Sequence, residues 1–332
     1  MYSKFWPKGG LPGILHHYTE TLVTFEYTTS TVRKPHSLLF VGGLGDGLAT
    51  TSYMADLAHA LQPTEWSLFT LNLTSSYQSW GLGHLDRDTN EIAQCLNYIK
   101  EYKTEKFGNG KIVLMGHSTG SQCVVHYLSR PNPHTTTPSF DPTLEHIKRM
   151  VLDGAIMQLL SRIGGDQVGL KWGIGGKSPS EDSGFDTLLP INLTGTMGYP
   201  PNTPISCRRL LSLVSPDSPD SPGEDDMFSS DLSEEQLAKT FGKIKQGGLL
   251  KHKLMVLFSG ADQSVPDWVD KEQLLEKWRK VTDRDGEVPI WDQEHSAVIP
   301  NASHALSNDD QAEPRKFLVE KVMGYLRGAE KA

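Results

Sequence analysis

The hydrophobic pattern alternates between two periods along most of the chain. Thr21 to Tyr27 alternates apolar and polar positions and is rich in β-formers, which predicts a half-buried strand. Ser37 to Val41 is a short continuous apolar run, as expected for a strand covered on both faces. Met54, Leu57, Ala58 and Leu61 then recur at helical spacing, Trp66 to Leu71 predicts another strand, and Asp86 to Tyr102 carries Ile92, Cys95, Leu96 and Ile99 on one helical stripe. Lys111 to Met115 and Ile147 to Leu152 predict two more buried strands, with a helix between them up to Ser129. Strand-like Leu254 to Phe258, helical Asp267 to Lys280, a short strand at Ala297 to Ile299 and a closing helix over Glu313 to Leu326 complete the alternation. Such alternation predicts an α/β fold with a mostly parallel central sheet flanked by helices.

The pattern breaks between about Ala155 and Leu250, where Gly, Pro and Ser accumulate. Residues 155–250 therefore read as an insertion, dividing the core into a first part, 1–154, and a second, 251–332. Within the insertion, Asp217, Asp220, Glu224, Asp225 and Asp226 suggest a mobile acidic loop. That loop would either serve solubility alone or form an anionic rim that attracts cationic substrates.

Composition narrows the partners. A net charge of −8 with no long basic run argues against nucleic acid. No segment has the length and hydropathy of a membrane span, and the first eighteen residues lack an apolar signal core, so the expectation is a cytoplasmic protein without a membrane partner. Cys95, Cys123 and Cys207 have none of the spacings of a zinc site or disulfide framework and are expected as buried thiols. Neither a metal nor an organic cofactor is expected.

The chemistry concentrates at Gly116-His117-Ser118-Thr119-Gly120, a G-x-S-x-G pattern between a predicted strand and a predicted helix. Glycines two before and two after the serine permit the sharp turn that lifts a nucleophilic hydroxyl clear of the sheet. A serine needs a base, and the base an orienting carboxylate, expected in the chain order serine, acid, histidine. Asp262 follows the strand Leu254 to Phe258 and is favoured as the acid over Asp153, which ends an earlier strand. His304 follows the last strand and is the expected base. Among the other histidines, His117 should point away from the nucleophile, His295 precedes the last strand, and adjacent His16 and His17 do not share a face. The oxyanion donors expected are the N–H groups of Thr119 and of Leu44, the latter in Gly42-Gly43-Leu44-Gly45-Asp46-Gly47. That run lacks the G-x-G-x-x-G spacing of a dinucleotide site.

These motifs resemble the α/β-hydrolase superfamily. Arg208 to Leu213, Met227 to Leu232, and Ser259 to Asp262 through Val269 to Glu272 further resemble a mainly fungal branch that includes fusarinine C siderophore esterases. The resemblance implies an α/β-hydrolase fold with an inserted cap and a serine esterase that opens ester bonds of hydroxamate siderophores in the cytosol. Its triad would be Ser118, Asp262 and His304, and its partner a small-molecule ester. Leu159 to Gly165 departs from the branch's pattern in the region that shapes the pocket. This leaves two other expectations open: a hydrolase or acyltransferase acting on a polyketide or peptide ester, lactone or thioester, or a non-catalytic binding protein on the same fold.

Overall fold

Two parallel neighbours enclose the strand His36–Val41 in the central sheet, and its residues divide between two layers. The computed structural model describes residues 4–28, 32–134, 188–196, 199–200, 202–284 and 288–332. Two antiparallel edge strands, β1 (Gly13–His17) and β2 (Val23–Tyr27), precede β3 (His36–Val41). Then come α1 (Met54–Leu61), β4 (Trp66–Leu71), α2 (Leu85–Phe107), β5 (Ile112–Gly116) and α3 (Thr119–Ser129). After α4 (Cys207–Val214), the chain forms β6 (Leu257–Ser259), α5 (Lys271–Asp283), β7 (Ala297–Ile299) and α6 (Ala312–Lys331). Five strands are ordered β1-β2-β4-β3-β5, with β3 parallel to both β4 and β5, and β6 pairs in parallel with β7.

Strand periodicity sends Leu38 and Phe40 to one face of β3 and Leu39 and Val41 to the other. Leu38, Phe40, Trp66 and Leu68 pack with Leu57 and Leu61 of α1 and Leu318 and Val322 of α6. Leu39, Val41, Phe69 and Leu71 pack with Ile92, Cys95 and Ile99 of α2, Val124 and Val125 of α3, and Leu274 and Trp278 of α5. The predicted three-layer arrangement is thus built from the stripes visible in the sequence.

Three differences from the sequence expectation have physical reasons. Strand β1 has only His16 buried, so its hydrophobic pattern carries no signal; its pairing with β2 makes it a strand. Helix α5 starts at Lys271, not Asp267, because the Asp270 side chain caps it by accepting from Gln273 N–H at 3.0 Å. The described end of the presumed insertion joins the main core: Met227, Leu232, Leu237, Phe241 and Ile244 are buried with α3 and Trp278.

Between β5 and the β6–β7 pair runs a slot of about 1040 Å³, lined by Ile112, Leu114, Met255 and Leu257. The same cavity is lined by Lys111 and Ala332 and by the polar side chains of Ser118, Asp262 and His304. The expected strand Ile147 to Leu152, the rival acid Asp153 and the departing segment Leu159 to Gly165 lie outside the described residues.

Candidate active site

Strand β5 ends in a turn so tight that its glycines are obligatory. A Cβ on Gly116 would lie 2.3 Å from the carbonyl oxygen of Gly120, and one on Gly120 would lie 2.3 Å from that of Val41. Ser118 between them has φ 52° and ψ −123°, a left-handed conformation that costs a non-glycine residue about 1–3 kcal/mol. Ser118 holds the N-cap position of α3 without using its hydroxyl as a cap. The hydroxyl instead meets His304, with Oγ to Nε2 at 2.9 Å.

The other imidazole nitrogen faces Asp262, with Nδ1 to Oδ2 at 2.7 Å. An ionised carboxylate only accepts, so Nδ1 carries the proton and Nε2 is left to accept from the serine. Asp262 Oδ1 also accepts from Ser264 N–H at 2.8 Å. Burial alone would raise the Asp262 pKa, but the hydrogen bonds from His304 and Ser264 and the charge of Lys271 outweigh it and hold the carboxyl below its usual value. The hydrogen bond to Asp262 raises His304 above the ordinary imidazole value, against the opposing effect of burial.

Both partner loops are pinned from several directions. Gly260 N–H donates to Ile299 C=O at 2.9 Å and Ala261 N–H to Ala302 C=O at 2.8 Å, tying the acid's loop to the base's. Gln311, 2% exposed, accepts from Ser303 N–H at 2.7 Å and donates to Asn301 C=O at 3.0 Å. Ser52 Oγ donates to the carbonyls of Ala305 and Leu306, and Gln263 Oε1 accepts from His304 N–H at 3.1 Å.

The loop after β3 passes beside the serine, where a Cβ on Gly43 would come within 2.9 Å of Ser118 Cβ. Among the described residues, neither Leu44 N–H nor Thr119 N–H has a hydrogen-bond partner. Both line a small cavity of about 30 Å³ with Gly43. The five residues expected from sequence therefore come together, whereas Gln311, Ser52 and Gln263 were missed. Ser52 and Gln263 bond loops far apart in sequence and leave no local mark, while Gln311 bonds back to Asn301 and Ser303 within its own loop.

His117 departs from expectation. Its ring does not point away but packs against His304, with centroids 5.6 Å apart, and edge-on against Tyr53 at 5.6 Å. Burial pushes its pKa down to about 4, so it stays neutral beside the base. The acidic segment departs too. Asp225 is 2% exposed and pairs with Arg209 at 2.7 Å and with Ser212 Oγ at 2.5 Å, while Asp226 bonds Ser215 and Ser229. Asp225 thus holds the segment onto α4, and Asp226 ties it to the residue that follows that helix. No group of His, Cys, Asp or Glu among the described residues has the arrangement of a metal site, and Cys95, Cys123 and Cys207 are buried free thiols.

Comparison with known proteins adds the lineage. The chain is 70% identical to the fusarinine C esterase of Aspergillus fumigatus, with all of both chains covered; that alignment spans 359 positions against the 332 residues here. A solved siderophore hydrolase of Aspergillus fumigatus superposes with a TM-score of 0.79 at 63% identity, covering 98% of this chain and 100% of the other. A solved α/β-hydrolase fold protein of unknown function, only 13% identical, superposes with a TM-score of 0.50 over 96% of each chain, which speaks to the fold alone. The family model described as "Protein of unknown function (DUF1749)" matches residues 4–327. With that match over nearly its whole length, this chain of α/β-hydrolase fold belongs to the DUF1749 family.

Proposed function

We propose that the protein is a serine esterase whose substrate is a fusarinine-type hydroxamate siderophore, acting through Ser118, His304 and Asp262. The single observation that carries the catalytic reading is the continuous line from Ser118 Oγ through His304 to Asp262, at 2.9 and 2.7 Å. The substrate class is supported by the two relatives named above, one a fusarinine C esterase and the other a siderophore hydrolase.

In the first half-reaction, Ser118 Oγ attacks the ester carbonyl carbon while His304 Nε2 takes the hydroxyl proton. Negative charge moves to the carbonyl oxygen, where Leu44 and Thr119 N–H groups donate to it. The C–O bond to the alcohol breaks, and His304 returns its proton to the leaving oxygen. Water then attacks the acyl-serine with His304 as base, releasing the acid and restoring the hydroxyl. Asp262 keeps the imidazole in the required tautomer and stabilises its transient positive charge. Iron, where present, enters as part of the substrate. The compartment we propose is the cytoplasm, where buried free thiols persist. No helix among the described residues is long and apolar enough to cross a membrane.

The test has two arms. A fluorophosphonate should label wild-type protein at Ser118 and leave Ser118→Ala unlabelled. Incubation with ferric and iron-free fusarinine-type esters, lactones and thioesters, read by mass spectrometry, should show preferential release of hydroxamate monomers. Faster turnover of lactones or thioesters than of any siderophore ester would overturn the substrate assignment while leaving the chemistry intact.

A further inference from the structure

One carboxylate organises the loop that carries Leu44. Asp46 Oδ2 accepts from Gly43 N–H at 2.8 Å and from the Thr51 hydroxyl at 3.0 Å, while Oδ1 accepts from the Thr50 hydroxyl at 2.6 Å. Its main chain adds two bonds: Asp46 N–H donates to Gly43 C=O at 3.0 Å, and Asp46 C=O accepts from Tyr77 N–H at 3.1 Å. The fit is close, since a Cβ on Gly42 would lie 2.5 Å from Asp46 Cβ. On its other side the loop abuts Ser118 through Gly43. Two successive N–H groups, those of Gly43 and Leu44, thus have different fates. The carboxylate engages the first, and the second has no partner among the described residues.

We propose that Asp46 is a positioning residue for the oxyanion site: by binding Gly43 N–H it turns the loop so that Leu44 N–H is the donor presented beside Ser118. The proposal rests on the serine-esterase reading. Its physical basis is preorganisation, because a donor helps only if it already points where charge develops, and beyond the packing of the Leu44 side chain against the cluster of Trp80 and Ile205 a run of glycines leaves the backbone of this loop free to turn. The carboxylate supplies the missing restraint, and Thr50 and Thr51 fix the carboxylate in turn.

A restraint on the oxyanion donor has a signature that mere structural support lacks. It acts on the transition state and leaves ground-state binding alone. Wild type, Asp46→Asn and Asp46→Ala would be compared by kcat and KM on a neutral aryl ester, with active sites titrated by fluorophosphonate. The inhibition constant of a trifluoromethyl ketone would be measured on each. That probe forms a tetrahedral adduct in which Ser118 Oγ bonds the carbonyl carbon, the hydroxyl proton passes to His304, and the former carbonyl oxygen carries the negative charge.

Asp46→Ala should lose about 100-fold in kcat, the scale of one lost oxyanion donor, with KM within threefold and the ketone weakened in proportion to kcat/KM. Asp46→Asn, whose amide oxygen still accepts from Gly43 N–H, should recover all but about tenfold of that loss. A kcat for Asp46→Ala within twofold of wild type, or a fall in kcat with unchanged ketone affinity, overturns the proposal. Should Asp46→Ala not fold, Thr51→Val removes one restraint on the carboxylate and should lower kcat severalfold at constant KM; an unchanged kcat there overturns it equally. Failure of the esterase reading looks different: wild type would not be labelled at Ser118, and Ser118→Ala would still turn over ester.

Discussion

Two aspartate–histidine pairs sit at opposite ends of strand β7 (Ala297–Ile299). At its start, His295 Nδ1 meets Asp292 Oδ2 at 2.9 Å; beyond its end, His304 Nδ1 meets Asp262 Oδ2 at 2.7 Å. By pair geometry alone they are near duplicates, yet their surroundings separate them. Asp292 lies three residues before its histidine and also accepts from Glu294 N–H and His295 N–H, so it closes a local turn. The second nitrogen of His295 lies near Glu294 Oε1, at 3.8 Å, and against the helix at Gly324. Asp262 is 42 residues from His304, and the second nitrogen of His304 faces the hydroxyl of a serine in a strained conformation. An aspartate–histidine pair is therefore not itself a sign of catalysis. What separates the two is the end of the parallel strands at which each lies, since β5, β6 and β7 all deliver their following loops to the same side of the sheet.

The sharpest way to break this comparison is to remove the histidines. His304→Ala and Ser118→Ala should each lower kcat by roughly 10⁴ to 10⁶, with the double variant little worse, because the groups act as one unit. His295→Ala should keep kcat within about twofold, because the ring pairs with Asp292 at the other end of β7 from Ser118. Comparable losses for His295→Ala and His304→Ala in steady-state ester hydrolysis would erase the distinction.

The carboxylates come next. Asp262→Asn should cost about 10⁴ in kcat, because the amide can donate to the imidazole and favours the wrong tautomer. Asp292→Asn should leave kcat intact and lower unfolding free energy by about 1–3 kcal/mol, the cost of compromised buried acceptors, read from the urea midpoint. Asp153→Asn should lose much less activity than Asp262→Asn; the reverse ranking would move the acid to Asp153.

A third contrast concerns the acidic segment, whose sequence left open a loop for solubility alone or a rim that steers cationic substrate. Asp225→Asn leaves Arg209, 4% exposed, with a weakened buried partner and should cost up to about 3–5 kcal/mol in stability. Glu224→Gln, at the partly exposed contact with Arg208, should stay within about 0.5 kcal/mol. Denaturant melts of the two variants separate structural acids from surface ones. A selective loss in kcat/KM for amine-bearing esters in Asp225→Asn, with no loss of stability, would restore the steering reading.

The smallest effect is on pH. His304 acts as a base only when neutral, and the hydrogen bond to Asp262 raises its pKa above 6.5, so the acid limb of kcat/KM should have its midpoint above that value. In the residual activity of Asp262→Asn the raising partner is weakened, and the midpoint should move to lower pH. A midpoint unmoved by Asp262→Asn would mean that this pair does not set the limb. His117, pushed down to about 4, should leave no inflection between pH 5 and 8.

What the sequence by itself determined is whatever short-range pattern encodes. The continuous apolar runs of β3 and β4 are readable because both faces of those strands are buried, and the stripe on α2 because only one face is. The elbow is readable because only glycine fits at 116 and 120. Chain order even pointed to Asp262 and His304, since the fold places each after a strand. Only the tertiary structure decided the rest. β1 is a strand by virtue of its partner, the ring of His117 lies against a histidine 187 residues later in the sequence, and Asp225 is buried because Arg209 comes to meet it. Ser52 holds the base's loop through a contact that exists only once α1 and α6 share a face. The physical reason is common to all of these: periodicity reports which face of an element is buried, whereas a hydrogen bond between distant segments depends on where packing brings them, and composition carries no record of that.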